Sequence, residues 1–279
     1  MYKLRLGRSL DFGNENFYDD LQELEDLGFD SVDFGIAGCW KYGEIETESV
    51  ACIEEGLERV KISKLFLNGV HLPFGARWDI SVPDEELRRK RIGETAELFK
   101  RIDPYTPNCY VLHGSVPLDV FYGVVDRKAY CDGLVRSITQ LQELTDTPIC
   151  LETLPRQCLL NTVRETLEIL GKLPKTKLCL DVNHLLFDDV EDAVLTFGDV
   201  IYTLHISDYD KADERHWLPG KGIINWNRLI GNLQKVGYNG VFNYESEGSA
   251  MEVKENFTRL FAEYNANHSS ALSISIEKK

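Results

Sequence analysis

Ile149-Cys-Leu-Glu152 is a short apolar run that ends on a carboxylate, and Leu178-Cys-Leu-Asp181 repeats the form one unit later. Working outward in both directions, the device recurs. Leu65–Val70 precedes His71 and Cys109–Leu112 precedes His113; Ile201–Leu204 precedes His205 and Val241–Tyr244 precedes Glu245. Stretches with helical periodicity lie between these runs. Strand, polar residue, helix, with the polar residue always at the strand's carboxyl end, is how a (β/α)₈ barrel builds an active site. The chain therefore reads as an α/β protein, a single (β/α)₈ TIM barrel.

Eight strand–helix units can be counted. The first strand is expected near Lys3–Leu6 and the second over Ser31–Phe34. The other six end at the polar residues just named. Helices are predicted over about 17–27, 47–63, 84–102, 127–145, 190–197, 226–236 and 252–264, with the fifth opening at 162. Gly28 and Gly237 each follow a helix and precede a strand, as a left-handed C-terminal cap would. Thr162-Val-Arg-Glu165 is a capping-box pattern at the start of the fifth helix. No composition break marks a second domain, so residues 1–264 are assigned to the barrel and 265–279, polar and serine-rich, to a mobile tail. Two residues before the strand-end positions stand Gly69, Val111, Cys150, Cys179, Thr203 and Asn243. All are small or medium, as the crowded layer beneath a barrel mouth requires.

The length of 279 residues is close to the roughly 250 of one such barrel. Forty-six acidic against 31 basic residues give a net charge of −15, a poor balance for gripping nucleic acid or anionic lipid. The seven cysteines are odd in number and contain no CxxC pair, and three of them sit inside apolar runs. That points to reduced thiols in a cytoplasmic protein. The chain opens on strand-like sequence, and no apolar stretch is long enough to span a bilayer. Oligomeric state is not legible.

Glu152, Asp181, His205 and Glu245 end four adjacent strands. Three carboxylates converging in one pocket resist ionisation unless something neutralises them. A divalent cation is the simplest answer, and an O₃N set suits Mn²⁺, Co²⁺, Zn²⁺ or Mg²⁺. The aromatics Trp40, Phe74 and Trp217 fall in βα loops, where they can stack on the apolar faces of a sugar ring.

These residues resemble the xylose-isomerase-like barrels, a superfamily of sugar and sugar-phosphate isomerases, ketose 3-epimerases, inosose dehydratases and endonuclease IV. The likeness is carried by His71-Leu-Pro-Phe74, Leu112-His-Gly-Ser115, Leu151-Glu-Thr153, Leu180-Asp-Val-Asn-His184, Leu204-His-Ile-Ser-Asp208, the segment from Glu214-Arg-His216 to Trp226, and Phe242-Asn-Tyr-Glu245. The resemblance implies one divalent metal held by Glu152, Asp181, His205 and Glu245. It also implies that Glu152 and Glu245 act as the acid–base pair on a small carbohydrate. The implied reaction is isomerisation or epimerisation by proton transfer through a metal-stabilised enediolate. His71, His113, His184 and His216 are then substrate contacts. A dehydratase of inosose-like ketones would use the same parts. The same histidines with Glu214 also match the ligand positions of the endonuclease IV type, a trinuclear zinc nuclease. There Glu214 replaces the aspartate, and the negative charge of the chain is unfavourable.

Overall fold

A computed structural model describes the backbone of residues 1–36, 40–41, 44–45 and 52–276, and the side chains of 1–36 and 52–268. Eight parallel strands close into a barrel: β1 (Arg5–Asp11), β2 (Ser31–Gly35), β3 (Phe66–His71), β4 (Cys109–His113), β5 (Ile149–Glu152), β6 (Lys177–Asp181), β7 (Ile201–Ile206) and β8 (Val241–Tyr244). Each is hydrogen-bonded to its neighbours in sequence, and β8 closes on β1. The outer ring is α1 (Phe17–Leu27), α2 (Ile53–Ile62), α3 (Glu85–Ile102), α4 (Arg127–Leu141), α5 (Val163–Leu170), α6 (Val190–Phe197), α7 (Trp226–Lys235) and α8 (Ala250–Ile276). The fold is the TIM barrel expected from the alternating pattern.

Local chemistry accounts for the turns between elements. Gly28 and Gly237 take φ of 73° and 75°, the left-handed region that a side chain would strain. Asp84, Asp126, Thr162, Asp189 and Asn225 each cap a following helix through a side-chain oxygen. The capping box is half made, because Thr162 accepts from Glu165 N while Glu165 reaches the Leu160 amide and Arg127 instead.

Three boundaries differ from the sequence reading. The first strand starts later and runs to Asp11, since its polar Ser9 and Asp11 hid its length. A one-turn helix, Leu118–Tyr122, fills the loop after β4. The last helix continues to Ile276, past the end expected near 264: Tyr264 is 3% exposed, and Asn265 bonds both Tyr2 N and Tyr2 O, which ties this helix to the N-terminus. Part of the segment expected to begin the second helix, 46–51, lies outside the described residues. Trp40–Lys41 pairs antiparallel with Glu44–Ile45, and the Trp40 side chain lies outside the described residues. Among the described residues, no helix is long and apolar enough to cross a membrane.

Candidate metal centre

Strand register brings the polar residues together. His113 pairs with Glu152 across β4 and β5, and Asp181 pairs with His205 across β6 and β7. Neighbours in register on one face are the closest residues a sheet can offer. Glu245 follows β8 directly, its amide held by Ile206 O.

Glu152 is the hub. Its Oε2 lies 3.0 Å from His71 Nε2 and 3.1 Å from His113 Nε2, and its Oε1 lies 3.0 Å from His205 Nδ1. His205 Nδ1 is also 2.8 Å from Glu245 Oε2. The side chain of Glu152 is 1% exposed, whereas that of Glu245 is 32% exposed and opens on the cavity. One potential ligand atom from each of Glu152, Asp181, His205 and Glu245 lies within 4.8 Å of the others. Asp181 Oδ1 accepts from Asn183 N, but its buried Oδ2 has no hydrogen-bond partner. A buried carboxylate oxygen aimed among two other carboxylates and an imidazole is costly alone and well suited to a cation. The four residues fit a divalent ion.

The electrostatics agree. Burial opposes the charge of Glu152, yet His205 and His113 overcome it and hold its pKa well below the usual carboxylate range. For Glu245, partial desolvation opposes the charge, and His205 brings its pKa down to about 2. Asp181 moves the other way: burial, with His184 compensating in part and Glu152 repelling, raises it to about 6. It carries the cost of the shared site.

A further group stands at the rim. His184 Nε2 lies 3.0 Å from Glu214 Oε2, while His184 Nδ1 bonds Thr153 O. His184, Glu214 and His216 offer ligand atoms within 4.8 Å of one another, and so do His71, His113 and Glu152. Burial resists the His184 charge, but Asp181 and Glu214 raise its pKa to about 10. His184 and Arg156 in turn hold Glu214 near 2. His216 has φ 51° and directs Nδ1 to Glu245 O.

Phe74 stacks on His113 at 4.4 Å between ring centres and lines a cavity of about 340 Å³ with the histidines and glutamates. Trp217 does not line that cavity; its backbone pairs with Asp208. Lys221, in the glycine-flanked turn 219–222, forms an exposed pair with Glu247. Two residues acquire a place that the sequence reading left open. Asp33 Oδ2 lies 3.6 Å from His205 Nε2, and its Oδ1 accepts from Asn68, which orients the imidazole from behind. Asp208 accepts from the amides of Tyr209, Gly220 and Ile224 and from Trp226 Nε1, pinning the loop that carries Glu214 and His216. The strand-end position of Asp33 was the available signal for the first. The second had none beyond its motif.

A family model described as xylose isomerase-like TIM barrel matches residues 21–263. An uncharacterized protein of Methanocaldococcus jannaschii is 27% identical over 114 residues, 40% of this chain and 45% of that relative, so less than half the relative's length is matched. Among solved structures, a D-tagatose 3-epimerase-like protein superposes with a TM-score of 0.76 at 18% identity, covering 95% of this chain and 99% of that one. D-psicose 3-epimerase with D-tagatose, from Clostridium cellulolyticum H10, gives 0.69 at 21% identity, over 91% and 89%. The IOLI protein with a zinc atom gives 0.72 at 17% identity, over 94% and 98%.

Proposed function

The chain belongs to the xylose isomerase-like TIM barrel family, and from that premise we propose that it is a divalent-metal-dependent isomerase or epimerase of a small sugar-like substrate. The observation that carries this reading is the convergence of Glu152, Asp181, His205 and Glu245 around Asp181 Oδ2, which has no hydrogen-bond partner and only a 3.6 Å contact with His184 Nδ1. Similarity in fold to D-tagatose and D-psicose 3-epimerases supports the substrate class, and the zinc in the IOLI structure supports the metal.

A bound divalent ion would polarise a carbonyl and an adjacent hydroxyl and so favour loss of the proton between them. The chain supplies the rest. Glu245, ionised and open to the cavity, accepts that carbon-bound proton. Glu152, held by three imidazoles and sharing His205 Nδ1 with Glu245, is the partner carboxylate. Return of a proton to the other face gives the epimer, and return to the neighbouring carbon gives the aldose–ketose isomer. His184 and His216, at the rim, are placed to hold substrate oxygens.

A second reading, a phosphoester hydrolase of the endonuclease IV kind, is favoured by one specific observation. The described residues offer four overlapping ligand sets rather than one, and three of them share Glu152. Both Glu152 oxygens are already engaged by imidazoles, which suits a bridging carboxylate better than a proton carrier.

The two readings separate on metal count. Anomalous scattering from crystals grown with Mn²⁺ or Zn²⁺ should show one ion at the four-residue site; three clustered ions would replace the first reading by the second. Glu245→Gln should keep the ion and lose solvent-deuterium incorporation into a ketose panel. Undiminished incorporation would remove Glu245 from the reaction.

A further inference from the structure

The cavity over the candidate metal centre has two unlike walls. One carries the ionisable groups already described. The other is built from Phe74, Val116, Pro117, Phe121, Leu154 and Pro155, and it bounds the same 340 Å³ space. Its polar groups are engaged within the protein. Ser115 Oγ accepts from Leu159 N, and Arg156 is paired with both Asp213 and Glu214. A sugar could lay its C–H faces here, but hydroxyls turned toward these residues would meet few partners, at a cost that a specific site avoids.

Phe121 sharpens the point. It sits on the one-turn helix Leu118–Tyr122, between Pro117 and Gly123, and 51% of it is exposed although it lines the cavity. Phe74 is likewise 41% exposed. Neither ring is committed to the core, and both face a space that is continuous with the metal-ligand candidates. Apolar wall and convergent polar groups in one pocket of this size are the makeup of a site for an amphipathic small molecule.

Building on the metal-dependent reading, we propose that the substrate is not a bare sugar but carries a flat apolar or aromatic arm, seated against Phe74 and Phe121 while its polar head meets the metal centre. The arm would orient the head, fixing which oxygen approaches Glu152 and Glu245.

The test uses two chelators with the same head and different arms, acetohydroxamate and benzohydroxamate, titrated into the Zn²⁺-loaded full chain by calorimetry. Benzohydroxamate should bind about tenfold tighter or more, the gain expected when much of a phenyl ring leaves water. Phe121→Ala and Phe121→Ser should each erase that preference while leaving acetohydroxamate affinity unchanged, with melting curves confirming that the variants fold. Equal affinities in the unaltered protein, or a preference that survives both variants, would overturn the apolar-arm subsite while leaving the metal reading intact. If neither hydroxamate binds, the metal reading falls and takes this inference with it.

Discussion

On strands β4 to β7 the barrel changes character within two residues. The mouth layer holds His113, Glu152, Asp181 and His205; the layer beneath, about 6.6 Å lower along the same strands, holds Val111, Cys150, Cys179 and Thr203. Glu152, Asp181 and His205 are as deeply buried as the residues below them. Burial therefore does not decide where charge is tolerated. Partnership does. Each carboxylate above faces an imidazole or a vacant direction that a cation can fill, whereas the thiols of Cys109, Cys150 and Cys179 pack with Val111 in a small neutral cluster. Chemistry lives in the upper layer and closure of the barrel in the lower.

The most damaging way to break this contrast is to move a charge down one layer. Cys150→Asp would bury a carboxylate without the imidazoles that serve Glu152, at a cost of several kcal/mol, a large part of the roughly 5–15 kcal/mol that holds a domain together. We expect no cooperative melting transition by circular dichroism. A variant that melts like the parent would show that the lower layer can solvate charge after all.

A milder intervention works at the boundary between the layers. Asp33 reaches His205 from behind and is itself anchored by Asn68, which also bonds Thr203 below. Asp33→Asn keeps the shape and removes the charge that steadies the imidazole. Metal affinity should fall by about 10–100-fold, as for other carboxylates behind a ligating histidine, with the melting curve of the metal-free protein little changed. Unaltered affinity by competition with a chelating dye would reduce Asp33 to packing.

How much of this was legible follows from the same contrast. Strand ends announce themselves, because one polar residue after an apolar run breaks a local pattern that any reader of the sequence can see. Three of the six histidines, His71, His113 and His205, were singled out that way with Glu152, Asp181 and Glu245, whereas His184 and His216 came only with the family resemblance. What escaped depends on registration between distant segments. Three imidazoles converge on Glu152 from β3, β4 and β7, and no spacing within one strand encodes that. The apolar wall is similar: Phe121 lies on a five-residue helix too short to leave a periodic signature. Trp217 likewise depends on a distant partner, because its backbone pairs with Asp208 and it is absent from the lining of the cavity that Phe74 borders.

The smallest expected effect titrates the upper layer without mutation. Asp181 is the ligand carboxylate that burial pushes up, to about 6, while Glu245 near 2 and His184 near 10 keep their protonation states between pH 5 and 7. Its folded pKa exceeds the unfolded value of about 3.9, so its contribution to the metal-free fold is full below pH 4 and declines as pH rises to 6. A cation reverses the balance, because it binds the ionised form and releases the proton. Affinity for Mn²⁺ should therefore drop about tenfold per unit below pH 6 from this group and level off above it. Thermal melts with and without Mn²⁺ at pH 5, 6 and 7 read the same linkage, the gain in Tm being larger at 7 than at 5. A gain that stays flat across that range would mean that Asp181 is already ionised in the metal-free protein. The mouth would then tolerate three carboxylate charges on imidazole partners alone.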